Sequence, residues 1–200
     1  GNHNDNIAIS QGANATGKYA TAVGRYADAS GKYAAAFGDG ARALGLYSSA
    51  LGSNARAVAD FGTAVGTNSY AYGRYGPAVG PGAYAAFAGT SLGISAVARA
   101  KNATALGADA AVWSQSGAAV GGWAYVGENA QNGVAVGYYA YVGQGAQNGV
   151  AVGYGASALG YASTALGVHA AAQGDSSVAL GNTTVASTYA TAVGPFAVAQ

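Results

Sequence analysis

Few residues of this 200-residue chain are equipped for acid–base or metal chemistry: His3 and His169 are its only imidazoles, and it has no Cys. His169, Asp175 and Ser176 supply the letters of a nucleophilic triad, in which the imidazole would take the serine proton while the carboxylate orients it. The resemblance is by letters only, because His169 stands alone on what the repeat below makes a turn. Gly12 to Lys18 has phosphate-loop spacing and the Gly17-Lys18 pair, but Tyr19 stands where Ser or Thr would hold magnesium. Without Cys there is no disulfide, thiolate zinc site or cysteine nucleophile. Two imidazoles leave most metal and general-base chemistry without its usual donors. The Gly-Gly-x-Gly-x-Asp run of calcium-binding solenoids is absent as well. The triplets Asn14-Ala15-Thr16, Asn102-Ala103-Thr104 and Asn182-Thr183-Thr184 have glycosylation spacing, which would carry no meaning if the source were bacterial. These residues predict a non-enzymatic protein with no cofactor and no metal.

Composition narrows the class further. Ala (52 residues) and Gly (34) together make 86 of the 200, while Lys, Arg, Asp and Glu make only 15. At 8% charged, the chain carries a fraction of the roughly 25% of ordinary soluble domains. Disorder normally needs high net charge, and the balance here is +1. The same near-neutrality argues against a nucleic-acid partner, which would require a basic stripe. No apolar run approaches the roughly 18 residues of a membrane-spanning helix, and no charged-then-apolar leader opens the sequence, so no direct membrane insertion is expected. Gly1 reads as a tag scar.

A repeat must position whatever side chains matter. Small–apolar–Gly triplets end at Ser10, Gly24, Gly38, Gly52, Gly66, Gly80, Gly93, Gly107, Gly121, Gly137, Gly153, Gly167, Gly181 and Gly194. The spacings are 14 five times, then 13, 14, 14, 16, 16, 14, 14 and 13. One residue before these anchors all 14 positions are large and apolar (Val23, Phe37, Leu51 and their equivalents), and two before, 13 of 14 are Ala, with Ser91 the exception. Three before stand small or β-branched residues such as Thr21 and Val134. This is the period-2 alternation of a strand with unlike faces. Gly returns seven residues past many anchors, as at Gly31 and Gly45, and interrupts any helix before Ala can nucleate one. Two short strands of about five residues per repeat predict an all-β solenoid of about 14 rungs stacked in parallel, forming a single domain over 1–200 with repeats from about 5 to 194. Its core is expected to be thin, with mostly one large side chain per rung lined by Ala and Gly. Few charges on such a roll leave apolar surface for a partner chain, and the Ala column is the expected place of close contact between chains.

The columns resemble the Asn-Ser-Val-Ala-Ile-Gly repeat of the YadA-like head of trimeric autotransporter adhesins. Ser176-Ser177-Val178-Ala179-Leu180-Gly181 and Asn132-Gly133-Val134-Ala135-Val136-Gly137 are close copies, and Asp5-Asn6-Ile7-Ala8-Ile9-Ser10 is a near one. The resemblance implies a left-handed parallel β-roll, three chains packed as a homotrimeric head, and anchorage at the bacterial outer membrane facing the exterior. It implies attachment to host matrix proteins (collagen, fibronectin, laminin) or to host-cell receptors, the carcinoembryonic-antigen-related family among them. With heptad stalk, neck and membrane anchor absent from these residues, the resemblance implies a head fragment.

Two departures from the family pattern supply candidate ligand-binding residues. Five residues before the anchor, where Asn or Ser is usual, stand Tyr19, Tyr33, Tyr47, Phe61 and Tyr75. Rings about 4.8 Å apart on successive rungs would stack, capping the edge of a thin core or forming a row of rigid recognition groups. Lys18 and Lys32, beside this ladder, read as solvated charges. The second departure is a tandem copy of 16-residue rungs within 122–153, carrying Trp123, Tyr125, Glu128, Asn129, Gln131, Tyr138, Tyr139, Tyr141, Gln144 and Gln147. Their extra residues are expected to bulge outward for want of room inside, and loops on a rigid scaffold are where recognition concentrates. Trp113 has no repeating partner and is expected to fill an irregular rung. The readings to weigh against an adhesive head are a structural spacer or self-associating fibre segment, an ice-binding solenoid with interrupted Thr rows, and a hexapeptide acyltransferase. The last requires a six-residue period, which is not found here.

Overall fold

The computed structural model describes residues 5–200; Gly1 and His3 lie outside the described residues. All regular structure among the described residues is short β-strand. Each rung supplies a three-residue strand and then a two-residue strand, as in Thr21–Val23 and Asp28–Ala29. These are shorter than the alternation suggests, because two tight turns take up the remaining positions of every repeat.

The chain divides into two compact units, Gly1–Ala96 and Val97–Gln200. Within each unit the three-residue strands stack in chain order into one parallel sheet, and the two-residue strands into a second. Register follows the repeat: Ala22 pairs with Ala36 and Ala36 with Ala50 in the first unit, Ala151 with Ala165 in the second. Together the units hold about 14 turns of parallel β-solenoid, as the repeat count predicts.

The turns explain the glycines. Each anchor adopts a positive φ (Gly24 at 129°, Gly38 at 133°), a conformation that strains a residue with a side chain and that Ser10, at 101°, alone among the anchors adopts without being Gly. The carbonyl of Gly24 accepts the Ala27 N–H at 3.1 Å, closing a four-residue turn whose third residue, Tyr26, has φ 56°. A positive φ at that place is the type II pattern, which favours Gly or Asn there and Pro just before it. Gly40, Asn54, Asn68 and Gly82 meet the first preference, and Pro81 and Pro195 meet the second. At Gly31 the constraint is space instead, since a Cβ would land on the Gly45 carbonyl of the next rung.

The sides of the strands are the reverse of the sequence expectation. The Ala column lies inside: Ala22, Ala36, Ala64, Ala105 and Ala151 are all fully buried within the single chain. The large column faces out, with Leu51 and Val193 51% and 66% exposed. The interior is instead mostly Ala against Ala, from the centres of the three-residue strands and the second positions of the two-residue strands, such as Ala29 and Ala43, with Val at three of the latter (Val112, Val126 and Val142). Alternation forces Ala and its large neighbour to opposite faces, and a roll closed by four-residue turns has a narrow bore filled mostly by methyl groups, with Val112 and Thr184 the largest side chains enclosed in rungs of ordinary length. The Ala column therefore serves closure of the roll, and close contact between chains falls to the outward large column.

Ser substitutes for Ala at several places in this interior, and at some of them its hydroxyl reaches a turn carbonyl. Ser48 Oγ donates to Gly45 O at 2.7 Å, and Ser177 Oγ to Gly174 O at 2.6 Å. Ser91 and Ser163 keep fully buried hydroxyls with no partner. An unsatisfied buried hydroxyl costs about 1–3 kcal/mol. Ser91→Ala, which restores the Ala of the other rungs, is accordingly expected to raise the thermal midpoint; a lower midpoint would show that the hydroxyl is satisfied.

Candidate binding surfaces

A rung runs strand, anchor turn, strand, far turn, so the anchor turns line one edge of the flattened roll and the far turns line the other. The aromatic ladder occupies the far turns of the first unit. Its rings stack as the column predicts: Tyr19–Tyr33 at 5.2 Å, Tyr33–Tyr47 at 4.7 Å, Tyr47–Phe61 at 5.5 Å and Phe61–Tyr75 at 5.1 Å between centroids, with planes within 16°. Ring faces cover one another, so solvent meets ring edges and phenol hydroxyls. Lys18 and Lys32 are not simply solvated, for their ammonium groups lie 4.9 and 5.0 Å from the Tyr19 and Tyr33 centroids. Arg74 sits 5.4 Å from Tyr75 and bonds the Asp60 carboxylate at 3.4 Å.

Every residue of this ladder has a positive φ between 54° and 61°. That is the left-handed region, which costs an ordinary L-residue roughly 1–2 kcal/mol and explains why Asn is the usual occupant. Stacking returns about 0.5–1.5 kcal/mol per pair. The two terms nearly cancel, so the rings are retained at little net gain in stability.

The candidates in the bulged rungs do not form one site. Trp123, Tyr138 and Tyr139 stand on the anchor turns, where Trp123 stacks on Tyr139 at 6.1 Å and Tyr138 meets Tyr139 edge-on at 4.4 Å. Two residues that the sequence reading left aside extend this group: Tyr154 stacks on Tyr138 at 5.9 Å, and His169 meets Tyr154 edge-on at 5.2 Å. Tyr125 and Tyr141 lie on the outer face of the two-residue strands, stacked at 5.4 Å. Glu128, Asn129, Gln131, Gln144 and Gln147 belong to the far turns.

The two extra residues of each bulged rung build one additional tight turn. Gly127 O accepts Ala130 N–H at 3.4 Å, and Ala130 O accepts Gly133 N–H at 3.0 Å; Gly143, Ala146 and Gly149 repeat the pattern. Glu128, Asn129, Gln131 and Gln144 project outward as expected. The core, however, widens with the insertion instead of excluding it. Ala130 and Ala146 are fully buried, and Val126 and Val142 fill positions that hold Ala in most rungs.

Two phenols here are shifted. Burial, followed by the charges of Tyr141 and Glu128, raises the Tyr125 pKa above the ordinary tyrosine value. A hydrogen bond with Tyr139, then desolvation, raises that of Tyr138. Both directions keep these phenols neutral at physiological pH, as hydrogen-bonding groups and not as anions.

The triad letters go to separate partners. His169 packs on Tyr154, while Asp175 Oδ1 accepts the Tyr161 N–H at 2.8 Å. Gly12 lies under the Tyr26 ring and Lys18 over Tyr19, so the phosphate-loop letters are ordinary turns of the roll. Trp113 is half-buried on the outside of its rung, with the Arg99 guanidinium 4.7 Å from its ring centroid. Among the described residues no group of three or more His, Asp or Glu is placed to hold a metal ion.

A comparison with curated proteins found no match. The description of the YadA head domain repeat (two copies) matches residues 11–27, 15–41, 29–55, 43–69, 86–110, 145–170, 158–184 and 172–197. Those segments cover well over half of the sequence and run in phase with the coils of the solenoid, leaving out 1–10, 70–85, 111–144 and 198–200. On that match and that fold, the chain belongs to the YadA head repeat family.

Proposed function

We propose that the chain is the head domain of a homotrimeric surface adhesin, exposed outside the bacterial outer membrane and acting by multivalent attachment without catalysis. We take repeats 5–194 as one such head. Its expected partners are host matrix proteins (collagen, fibronectin or laminin) or a host-cell receptor, with the carcinoembryonic-antigen-related family a candidate. The observation that carries this reading is the outward apolar column. Phe37, Leu51 and Leu92 in the first unit, and Leu166 and Val193 in the second, are 39–66% exposed in the single chain. Apolar surface repeated on every rung is the mark of an interface. Packing that face against two further copies leaves the aromatic ladder and the anchor-turn cluster as candidate ligand-binding surfaces, each presented three times. Linked sites of this kind raise avidity by about 100- to 10,000-fold without new contacts.

Light scattering is expected to give a particle near 58 kDa, three times the 19.2 kDa chain. The same preparation should bind at least one of the named proteins saturably when immobilised. Two variants separate the surfaces: Tyr33→Asn in the ladder, and Trp123→Ala with Tyr139→Ala on the anchor turns. Tyr33→Asn gives up two stacked pairs, about 1–3 kcal/mol, and sheds about 1–2 kcal/mol of strain, so it should stay within about 2 kcal/mol of the parent in stability. Loss of binding in either variant at unchanged stability assigns the site. A trimer that binds none of these proteins would leave a spacer role in a surface fibre.

A further inference from the structure

The outer face of the two-residue strands in the first unit carries a column of its own: Asn14, Asp28, Arg42, Arg56, Tyr70 and Tyr84, each in register with the next. Its charges do not balance. Asp28 reaches Arg42 at 3.8 Å, and no carboxylate follows for Arg56. Arg25 and Arg74 also reach carboxylates, and Lys18, Lys32 and Arg99 lie over rings. Among the described residues the Arg56 guanidinium has neither kind of partner, and its register neighbour Arg42 is a like charge one strand spacing (about 4.8 Å) away.

Arg56 also lines a shallow pocket of about 480 Å³ together with Asn54, Asn68, Ser69 and Tyr70. Asn54 and Asn68 are third residues of successive anchor turns, held at φ 54° and 56°, and among the described residues their carboxamides form no hydrogen bond. Ser69 is buried and bonded to Gly66 O at 2.8 Å, which fixes the floor. The half-buried Tyr70 ring is tilted 40° from Tyr72 and 45° from Tyr84, at 5.8 and 5.6 Å, so neither neighbour lies parallel to it as the ladder rings lie to one another.

From this arrangement we infer that the pocket binds the carboxylate-bearing terminal sugar of an acidic glycan. A planar guanidinium takes a carboxylate through two parallel hydrogen bonds and needs a single negative charge to complete the Asp28–Arg42–Arg56 column. Two carboxamides offer both donors and acceptors, which suit hydroxyl and N-acetyl groups; a phosphate or sulfate, acceptor throughout, would leave the amide oxygens idle. The part of the Tyr70 ring that lines the pocket supplies apolar contact for ring C–H groups. The volume lies within the range of small-molecule sites. The site rests on the adhesive reading in one respect: packing through the three-residue strands leaves the opposite sheet open to solvent.

The test uses the full chain with 3′-sialyllactose as probe and lactose as its neutral control, read by ligand-observed saturation-transfer NMR. The expected result is a response to sialyllactose that lactose lacks and that falls at least tenfold in Arg56→Gln. Asn68→Gly, which keeps the turn conformation, should weaken it as well. Equal response to lactose, retention in Arg56→Gln, or equal competition by inorganic sulfate would each overturn the inference. Light scattering on the same samples keeps the two readings apart. A monomer that binds sialyllactose supports the pocket and removes the trimeric head, whereas a trimer that binds a matrix protein but not sialyllactose does the reverse.

Discussion

Ala151→Leu is expected to lower the unfolding free energy by about 3 kcal/mol, the upper end of what overpacking usually costs. Ala151 is fully buried, flanked in register by Ala135 and Ala165, and opposed by a second sheet whose nearest inward side chains, Val142 and Ala158, are themselves fully buried. Three extra carbons at that place have no cavity to enter. They displace a strand whose neighbours on both sides obey the same restriction, so the strain is not relieved by local repacking. One residue further, Val152 points out and is 36% exposed. Val152→Leu is therefore expected to stay within about 0.5 kcal/mol of the parent. Denaturant titration of the two variants side by side checks the assignment. Equal midpoints would mean that the bore is wider than an Ala-lined roll allows.

The second large effect concerns assembly. Leu51→Glu changes a side chain that is 51% exposed in the isolated chain, so the fold of the monomer is expected to survive with little change in its circular dichroism. In a trimer closed through this face the same change buries a carboxylate without a partner in each copy. A buried unpaired charge costs about 3–5 kcal/mol, enough to move the particle from near 58 kDa to the 19.2 kDa chain. A Leu51→Glu protein that remains trimeric at micromolar concentration would place the interface elsewhere. The apolar column would then need a different occupant.

These two substitutions also mark where the sequence could and could not be read. The anchors, the number of coils and the parallel stacking were legible, because a fixed period records neighbour-to-neighbour contact directly. Which face was inside was not. Alternation establishes that Ala22 and Val23 point opposite ways but is silent on which is enclosed, and ranking by hydrophobicity put Val23 in. The length of the turns decided otherwise, by fixing a narrow bore that Ala and Ser mostly fill and in which Val and Thr are the largest enclosed side chains. The Tyr ladder was legible for the reason the anchors were, since its members share one column. The bulged-rung candidates were treated as neighbours because they are close in sequence, yet a coil spreads consecutive residues over two edges and a face. Tyr154 and His169 were missed for the converse reason: they join Tyr138 only through stacking between rungs. The Arg56 pocket needed a column that was not read, four residues past the anchor, and its partners come from two successive rungs. A count of column charges (Asp28, Arg42, Arg56) would have shown the imbalance.

The pairing rule has a consequence for how such a protein changes over time. Within each unit, a strand residue's ladder partners lie one coil away, 13, 14 or 16 positions along the chain. A coil copied whole therefore arrives with its contacts already specified, and a coil lost whole leaves behind ends that still match. Trp123–Tyr138 and Tyr139–Tyr154, nearly identical over 16 residues, are what such copying leaves. Unequal recombination between like DNA segments can thus lengthen or shorten this protein in steps of one coil. Each step adds or removes a complete set of surface side chains, so the number of sites per molecule becomes a quantity open to selection separately from the chemistry of any one of them.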